Sequence, residues 1–317
     1  MKTSVVIPAH NCERTIRATI DSVLCQTAPP DEILVMDDGS TDNTASILNS
    51  YKPRITVFWQ ENGGVASARN TLCERAQGNL IAFLDSDDIW HPRYLAAQRE
   101  LFRAYPTAVG FFTGHVNFRG YGPFEWNGTP PELPNTVEVL EPPNFVMRYN
   151  TATGPFASMS YCCVPTRVLE ELGKEPFHPA LSGVDDSYLC TELPLLGPVV
   201  YAPAPLVAYR QTSQAQSVNR LKMFGLWVEV FELLNGRYRA LAGAELRGAF
   251  RFSFAIKRRC YGKVLMGAGR SSDARRQFRL AATESCNAVS IAKSLSLLLS
   301  TYMPAALQPA WSPSHRE

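Results

Sequence analysis

Leu80-Ile81-Ala82-Phe83-Leu84-Asp85-Ser86-Asp87-Asp88 is the stretch on which the fold turns. Its first half is apolar without alternation, the pattern of a strand buried on both faces, and its second half carries three carboxylates in four positions. A buried strand that ends in charge places that charge at the rim of a sheet. Upstream the strand signal recurs in Ser4-Val5-Val6-Ile7, Glu32-Ile33-Leu34-Val35-Met36 and Ile55-Thr56-Val57-Phe58-Trp59. Between them Asn11 is placed to cap a helix reaching Leu24, Thr41 to cap a short helix through Leu48, and a third helix runs from Val65 to Ala76. Apolar strands alternating with helices predict an α/β fold, a mostly parallel central sheet with helices on both faces. Ligands of such sheets bind outside the carboxyl ends of the strands, here Pro8-Ala9-His10, Asp37-Asp38 and Asp85-Ser86-Asp87.

Asp85 and Asp87 stand at i, i+2, a spacing that lets both carboxylates face one side or converge in a turn. Hard oxygen ligands so placed suit Mg²⁺ or Mn²⁺ bridged to a diphosphate. The plain alternative is a surface acidic turn, against which the apolar run before it argues. In Asp37-Asp38-Gly39-Ser40-Thr41-Asp42 a carboxylate at a strand end can accept from a nucleobase or ribose, although turn formation and capping also explain the motif. Asn62-Gly63-Gly64-Val65-Ala66-Ser67-Ala68-Arg69-Asn70 lets backbone approach a ligand and puts Arg69 in the second helical turn, within reach of a base or an aspartate. It lacks the Lys-Ser/Thr of a phosphate loop and the G-x-G-x-x-G spacing of a dinucleotide site.

Past residue 90 a helix leads to a strand over Val109–Phe118, residues 121–155 are rich in Pro, Gly and Asn and read as a loop, and a strand near Ser158–Cys163 precedes a helix near Pro165–Leu172. The 317-residue chain divides by charge: residues 1–218 hold 15 Lys/Arg against 23 Asp/Glu, whereas 219–317 hold 16 against 6. This basic region reads as helical over Leu226–Leu234, Glu245–Val264 and Asp273–Ala282, and Ala288–Met303 has helical apolar spacing interrupted by Lys293. That last stretch is too short to span a bilayer, leaving packing on the domain or an anionic membrane surface as its destinations. Without interleaved stacking aromatics, nucleic acid is not an expected partner. Eight scattered cysteines without a CxxC pair fit neither a zinc site nor a disulfide framework. The opening apolar stretch is too short for a signal peptide, so the chain is expected in the cytoplasm, peripheral on the inner face of the cell membrane.

Taken together, Val5-Val6-Ile7-Pro8-Ala9-His10-Asn11, Val35-Met36-Asp37-Asp38-Gly39-Ser40-Thr41-Asp42, Asn62-Gly63-Gly64 with Ala68-Arg69-Asn70, and Phe83-Leu84-Asp85-Ser86-Asp87-Asp88 with Trp90 and Pro92 resemble the family 2 inverting glycosyltransferases of GT-A fold. The resemblance is specific over the first hundred residues, looser to Ser217 and weak beyond. It implies a GT-A catalytic domain over 1–218, with a nucleotide-sugar half (1–100) and an acceptor half (101–218), and a helical C-terminal extension over 219–317. By the same resemblance Pro8 and His10 line the nucleobase pocket, Asp38 binds the base, Arg69 supports it, Asp85 contacts ribose or donor sugar, and Asp87 ligates Mn²⁺ or Mg²⁺ with Asp85 beside it. The family's catalytic base is the aspartate of a Glu-Asp pair opening a helix. Gly183-Val184-Asp185-Asp186-Ser187-Tyr188-Leu189 fits that layout with Asp185 in the Glu position, which implies Asp186 as base and Asp185 as the alternative. Tyr209-Arg210 resembles a later Tyr-Arg segment and makes Arg210 a diphosphate contact. Thr212 stands where the family often has His, which leaves a third metal ligand unassigned.

The resulting expectation is transfer of a sugar from a UDP- or dTDP-linked donor to a hydroxyl of a glycan or lipid-linked acceptor, in cell-surface polysaccharide synthesis. A sugar-nucleotide-forming nucleotidyltransferase of the same architecture is one rival, disfavoured because His10-Asn11-Cys12-Glu13 replaces a Gly-rich basic loop. A non-catalytic nucleotide-sugar-binding protein is the other.

Overall fold

A strand buried on both faces must be covered on both, and β1 (Thr3–Ala9) is buried from end to end. The computed structural model describes residues 1–126, 137–151, 158–211 and 219–303; Thr212, Ser213 and Ser217 lie outside them. The chain forms two units, one of Met1–Leu140 and Ala157–Ala215, the other of Glu141–Phe156 and Gln216–Glu317.

In the first unit α1 (Ile16–Leu24), β2 (Glu32–Asp38), α2 (Thr44–Ser50), β3 (Thr56–Gln60), α3 (Val65–Arg75) and β4 (Leu80–Phe83) follow the expected alternation. After them come β5 (Ile89–Trp90), α4 (Tyr94–Ala104), β6 (Gly110–Phe118) and β7 (Glu138–Leu140). The second unit contributes α5 (Pro142–Thr151), and the first resumes with β8 (Cys162–Pro165), α6 (Thr166–Leu172), α7 (Asp185–Glu192) and β9 (Val199–Arg210). Among the described residues one sheet runs β3-β2-β1-β4-β8-β6-β9-β5, with β7 on β9. Its first four strands are parallel, as the apolar runs predict. Past β4 the sheet is mixed: β8 lies antiparallel to β4 and β6, while β6 and β9 are parallel.

Three local expectations change. Asn11 does not cap α1: it sits at φ 46° and its side-chain oxygen takes the Thr41 N–H at 2.8 Å, tying the loop after β1 to the loop after β2. Asn tolerates the left-handed region, and its amide serves a distant backbone group as readily as a helix end. Thr41 likewise does not start α2, since Asp42 takes the Thr44 N–H at 2.9 Å. The expected loop over 121–155 holds β7 and α5, and α5 groups with the C-terminal helices instead of the acceptor half.

The second unit adds α8 (Arg220–Leu241), α9 (Ala244–Gly267), α10 (Ser271–Glu284) and α11 (Ala288–Ser300). Its core is aromatic: Phe231 stacks on Phe254 at 5.3 Å and Tyr238 on Phe250 at 3.9 Å, joining α8 to α9.

Candidate active site

Three loops at the carboxyl end of the sheet build one side of the candidate site. Asp38, at the end of β2, is buried and accepts from Gln60 Nε2 at 2.7 Å and from the N–H groups of Gly63 and Gly64, both at 2.9 Å. The carboxylate expected to meet a nucleobase thus staples β2 to the start of α3, with most of its acceptor capacity used inside the chain. Gly39 lies at φ 69°, where a Cβ would come within 2.8 Å of the Asn62 nitrogen, so this close approach of two loops requires glycine. His10 is exposed at the rim, its Nδ1 2.8 Å from the Asp38 carbonyl and its Nε2 3.1 Å from Asn62 Nδ2. Pro8 is buried in β1 opposite Met36, so of the two residues expected to line a nucleobase pocket only His10 presents its side chain outward.

Beyond β4 the acidic run turns sharply and is held from three sides. Thr19 donates to the carbonyls of Ser86 and Asp88 at 3.0 and 2.9 Å, the Asp85 N–H donates to Ser160 Oγ at 3.1 Å, and the Arg210 N–H donates to Asp88 Oδ1 at 2.8 Å. Arg210 also donates from Nε to the Asp87 carbonyl at 2.6 Å and from its guanidinium to the Gly120 carbonyl, with its face 4.4 Å from the Phe118 ring centre. Buried and bonded to carbonyls, the residue expected at the diphosphate is a support for the acidic turn.

Crowding of carboxylates sets the charge here. Burial and then the Asp85 charge raise the Asp87 carboxyl to about 6, with Arg210 opposing. Burial and both neighbours hold Asp88 well above the ordinary carboxylate range, so this fully buried side chain is a structural acid and no ligand. Asp85 and Asp87 remain as an oxygen donor pair, Asp85 with one oxygen on Arg69 and Asp87 beside Arg210. That donor set fits Mg²⁺ or Mn²⁺, which take one or two carboxylates and complete their shell with phosphate oxygens and water. Among the described residues no group of three His, Cys, Asp or Glu side chains is placed to hold a metal ion.

The acidic turn is joined to α7 through α3. Small residues on that helix, Ala66 and Ala68, are fully buried and let it lie close to the sheet. Its Arg69 forks, one guanidinium nitrogen on Asp85 and the other on Asp185 of α7. Burial disfavours the Arg69 charge, but the charges of Asp185 and then Asp85 outweigh it and raise the pKa, so the guanidinium is charged at any working pH. The next residue, Asn70, clamps the loop before α7: its Nδ2 donates to the Phe177 carbonyl at 2.7 Å and its Oδ1 accepts the Phe177 N–H at 3.0 Å. Asn70→Ala leaves two buried backbone groups unpaired and is expected to destabilise the fold by about 2–4 kcal/mol, measured by urea unfolding.

Asp185 and Asp186 are thereby separated in role. Asp185 is 2% exposed and spends its oxygens on Arg69 and on the Gly183 N–H at 3.1 Å. Asp186 is partly exposed and accepts the Ser187 N–H at 2.6 Å. Burial of its carboxyl, then the Asp185 charge, raise its pKa to about 7, against the pull of Arg69. A carboxylate poised near neutrality suits general base work.

Sequence reasoning missed an aromatic wall beside these carboxylates. His115 of β6 stacks on Tyr161 at 4.9 Å and 10°, and Tyr209 of β9 meets His115 edge-on at 6.1 Å. Burial, then the charges of Asp88, Asp85, Asp87 and Asp186, raise the Tyr209 hydroxyl above its ordinary range, so it stays a donor. Strand and turn residues far apart in sequence carry no joint signal, and only Tyr209 stood in a recognisable segment.

Residues 4–168 match the model of glycosyl transferase family 2, and the chain belongs to that family. It is 41% identical over 131 residues to the putative teichuronic acid biosynthesis glycosyltransferase TuaG of Bacillus subtilis, covering 40% of this chain and 49% of that one. It is 46% identical over 89 residues to WfaP of Escherichia coli, described as a UDP-Glc:α-D-GlcNAc-diphosphoundecaprenol β-1,3-glucosyltransferase, covering 27% of this chain and 36% of that one. The matches thus span half or less of these relatives. The fold is also that of Staphylococcus aureus TarS 1-349 solved with UDP-GlcNAc, at a TM-score of 0.68 over 95% of this chain and 89% of that one, with 16% identity.

Proposed function

We propose that the chain is an inverting glycosyltransferase that moves a sugar from a UDP- or dTDP-linked donor to a hydroxyl of a glycan or lipid-linked acceptor in cell-surface polysaccharide synthesis. The observation that carries this reading is the Arg69 fork, which couples Asp85 at the donor end of β4 to the helix that presents Asp186. In a single in-line displacement, Asp186 takes the proton of the acceptor hydroxyl as its oxygen attacks the anomeric carbon, and the nucleoside diphosphate departs on the opposite face. Asp87, with Asp85, would hold Mn²⁺ or Mg²⁺. Such a cation, when bound, neutralises charge on the departing diphosphate. His10 and Asn62 at the rim supply polar contacts for the base, and Tyr209 supplies a neutral hydroxyl beside the carboxylates. TuaG and WfaP, one named for a teichuronic acid and the other for a diphosphoundecaprenol acceptor, support an acceptor in envelope polysaccharide. The net +10 of residues 219–317 supports action at an anionic membrane surface, on its cytoplasmic side. Among the described residues no helix is long and apolar enough to cross a membrane.

A thermal-shift screen of nucleotide sugars tests the donor half of this reading. A UDP- or dTDP-sugar is expected to raise the melting temperature only when Mn²⁺ is present, by linkage to the folded state. EDTA should erase the shift and excess Mn²⁺ restore it, and Asp87→Asn should erase it in either condition. Pyrophosphate release from NTP and sugar phosphate would instead establish the nucleotidyltransferase.

A further inference from the structure

The polarity of α11 is inverted. Its inward positions are serines: Ser290 and Ser294 are buried and receive Arg259 Nη1 at 2.9 and 3.3 Å, and Ser290 also meets Ser285 at 3.0 Å. Thr301, on the same side and directly after the last helical residue, takes Arg275 Nε at 3.0 Å. Most of its outward positions are apolar, with Lys293 and Ser296 the exposed polar residues among them. Ile291, Leu295 and Leu299 follow one another at i, i+4 and are exposed, Leu299 at 68%, and Val289 at 69% adjoins the stripe. Only Leu297 and Leu298 pack inward, against the small cluster of Leu265, Met266, Ala274 and Phe278. A helix docked for the stability of its own unit turns its leucines in; this one holds polar groups in and leaves about 15 Å of apolar ridge outside.

Both ends of the ridge are basic. At the far end Tyr302, 58% exposed, carries Arg275 over its ring at 4.1 Å and receives Arg279 at its hydroxyl at 3.4 Å. At the near end, two residues before α11, Cys286 lines a cavity of about 690 Å³ with Arg239, Arg247 and Arg251, where Glu284 is the one acidic group, 3.9 Å from Arg251. Lys293 is exposed between the two.

We propose that the outward face of α11 docks in the interface of an anionic lipid bilayer, its leucines among the acyl chains and the arginines at its ends on headgroup phosphates. An apolar ridge between cationic ends, with an amphipathic tyrosine at one of them, matches the layering of that interface. A second copy of this chain fits the ridge poorly, because face-to-face pairing brings two regions of net +10 together. The proposal deepens the membrane part of the function given above and rests on it only for the identity of the acceptor.

Sedimentation of the full chain with vesicles of phosphatidylglycerol and phosphatidylcholine, and with phosphatidylcholine alone, tests it. The chain should sediment with the mixed vesicles, less so as NaCl rises, and stay largely in the supernatant with the neutral ones. Leu295→Ser with Leu299→Ser, both exposed and so safe for folding, should lower the affinity about tenfold or more. Arg247→Gln with Lys293→Gln should lower it for mixed vesicles only. Equal binding by the leucine variant and the parent, or none by the parent, would overturn the proposal. So would a dimer in analytical ultracentrifugation that the leucine variant dissolves, or binding that appears only after residues 304–317 are removed. Donor hydrolysis is read on the same proteins. Lost sedimentation with unchanged hydrolysis supports the surface, and leucine-dependent sedimentation without any donor hydrolysis keeps the surface while the transferase reading fails.

Discussion

Asp186→Asn should lower kcat by about 10²–10⁴-fold while the donor-dependent thermal shift persists. The amide keeps the shape of the side chain and can still accept the Ser187 N–H, but it has no pair to take a proton at neutral pH. The pH profile of the parent gives the same group an independent signature. With a pKa of about 7, raised first by burial and next by Asp185, the carboxyl is protonated and idle at low pH. Below that value kcat/KM should fall about tenfold per pH unit, and above it the profile should level. A profile flat from pH 5 to 8, or an Asp186→Asn protein with undiminished transfer, would remove Asp186 from the reaction. In the second case Asp185→Asn would be examined next, with the expectation that its loss acts on stability through Arg69.

Arg69→Ala is the substitution with the largest expected cost to the fold, about 3–5 kcal/mol in urea or guanidinium unfolding. It removes one cation from two carboxylates, and Asp185 at 2% exposure has no water to replace it. The penalty is mostly that of the charge left behind, so Arg69→Met combined with Asp185→Asn should recover a large part of it. Arg69→Lys should recover little, since an ammonium lacks the planar fork that spans two acceptors. Loss of less than about 1 kcal/mol on Arg69→Ala would mean that the fork contributes no more than a surface pair.

The strand ends were legible because an uninterrupted apolar run leaves one arrangement, and a carboxylate directly after it must lie at the sheet's rim. Leu80–Asp88 showed both at once. Arg69 was readable as a second-turn residue able to reach a base or an aspartate; the structure chooses aspartate, and the choice depends on Asp185, 116 residues away. No local pattern encodes such a partner. Arg210 shows a related limit: a motif reveals that a guanidinium is present, whereas its bonds to the carbonyls of Gly120 and Asp87, contributed by turns, have no local signature. α8 runs past the expected Leu226–Leu234 at both ends and contains Gly225 and Gly236. At Gly225 a Cβ would lie 3.2 Å from the Tyr261 hydroxyl, so packing against α9 favours the residue that weakens the helix locally. The inversion of α11 was illegible in principle. Helical spacing of leucines gives the phase of an apolar stripe, and the same phase serves a stripe turned in or out.

The Asn70–Phe177 clamp has a consequence for recombination between relatives. Charge and motif content suggest cutting a chimaera near residue 100, exchanging one proposed donor half for another. α3, however, carries the foundations of the acceptor side: Arg69 neutralises Asp185, and Asn70 closes the backbone groups of Phe177. A graft ending at residue 100 keeps its function only if residues 177 to 186 travel with it, so the unit of exchange is defined by α3 and what it touches, and is discontinuous along the chain.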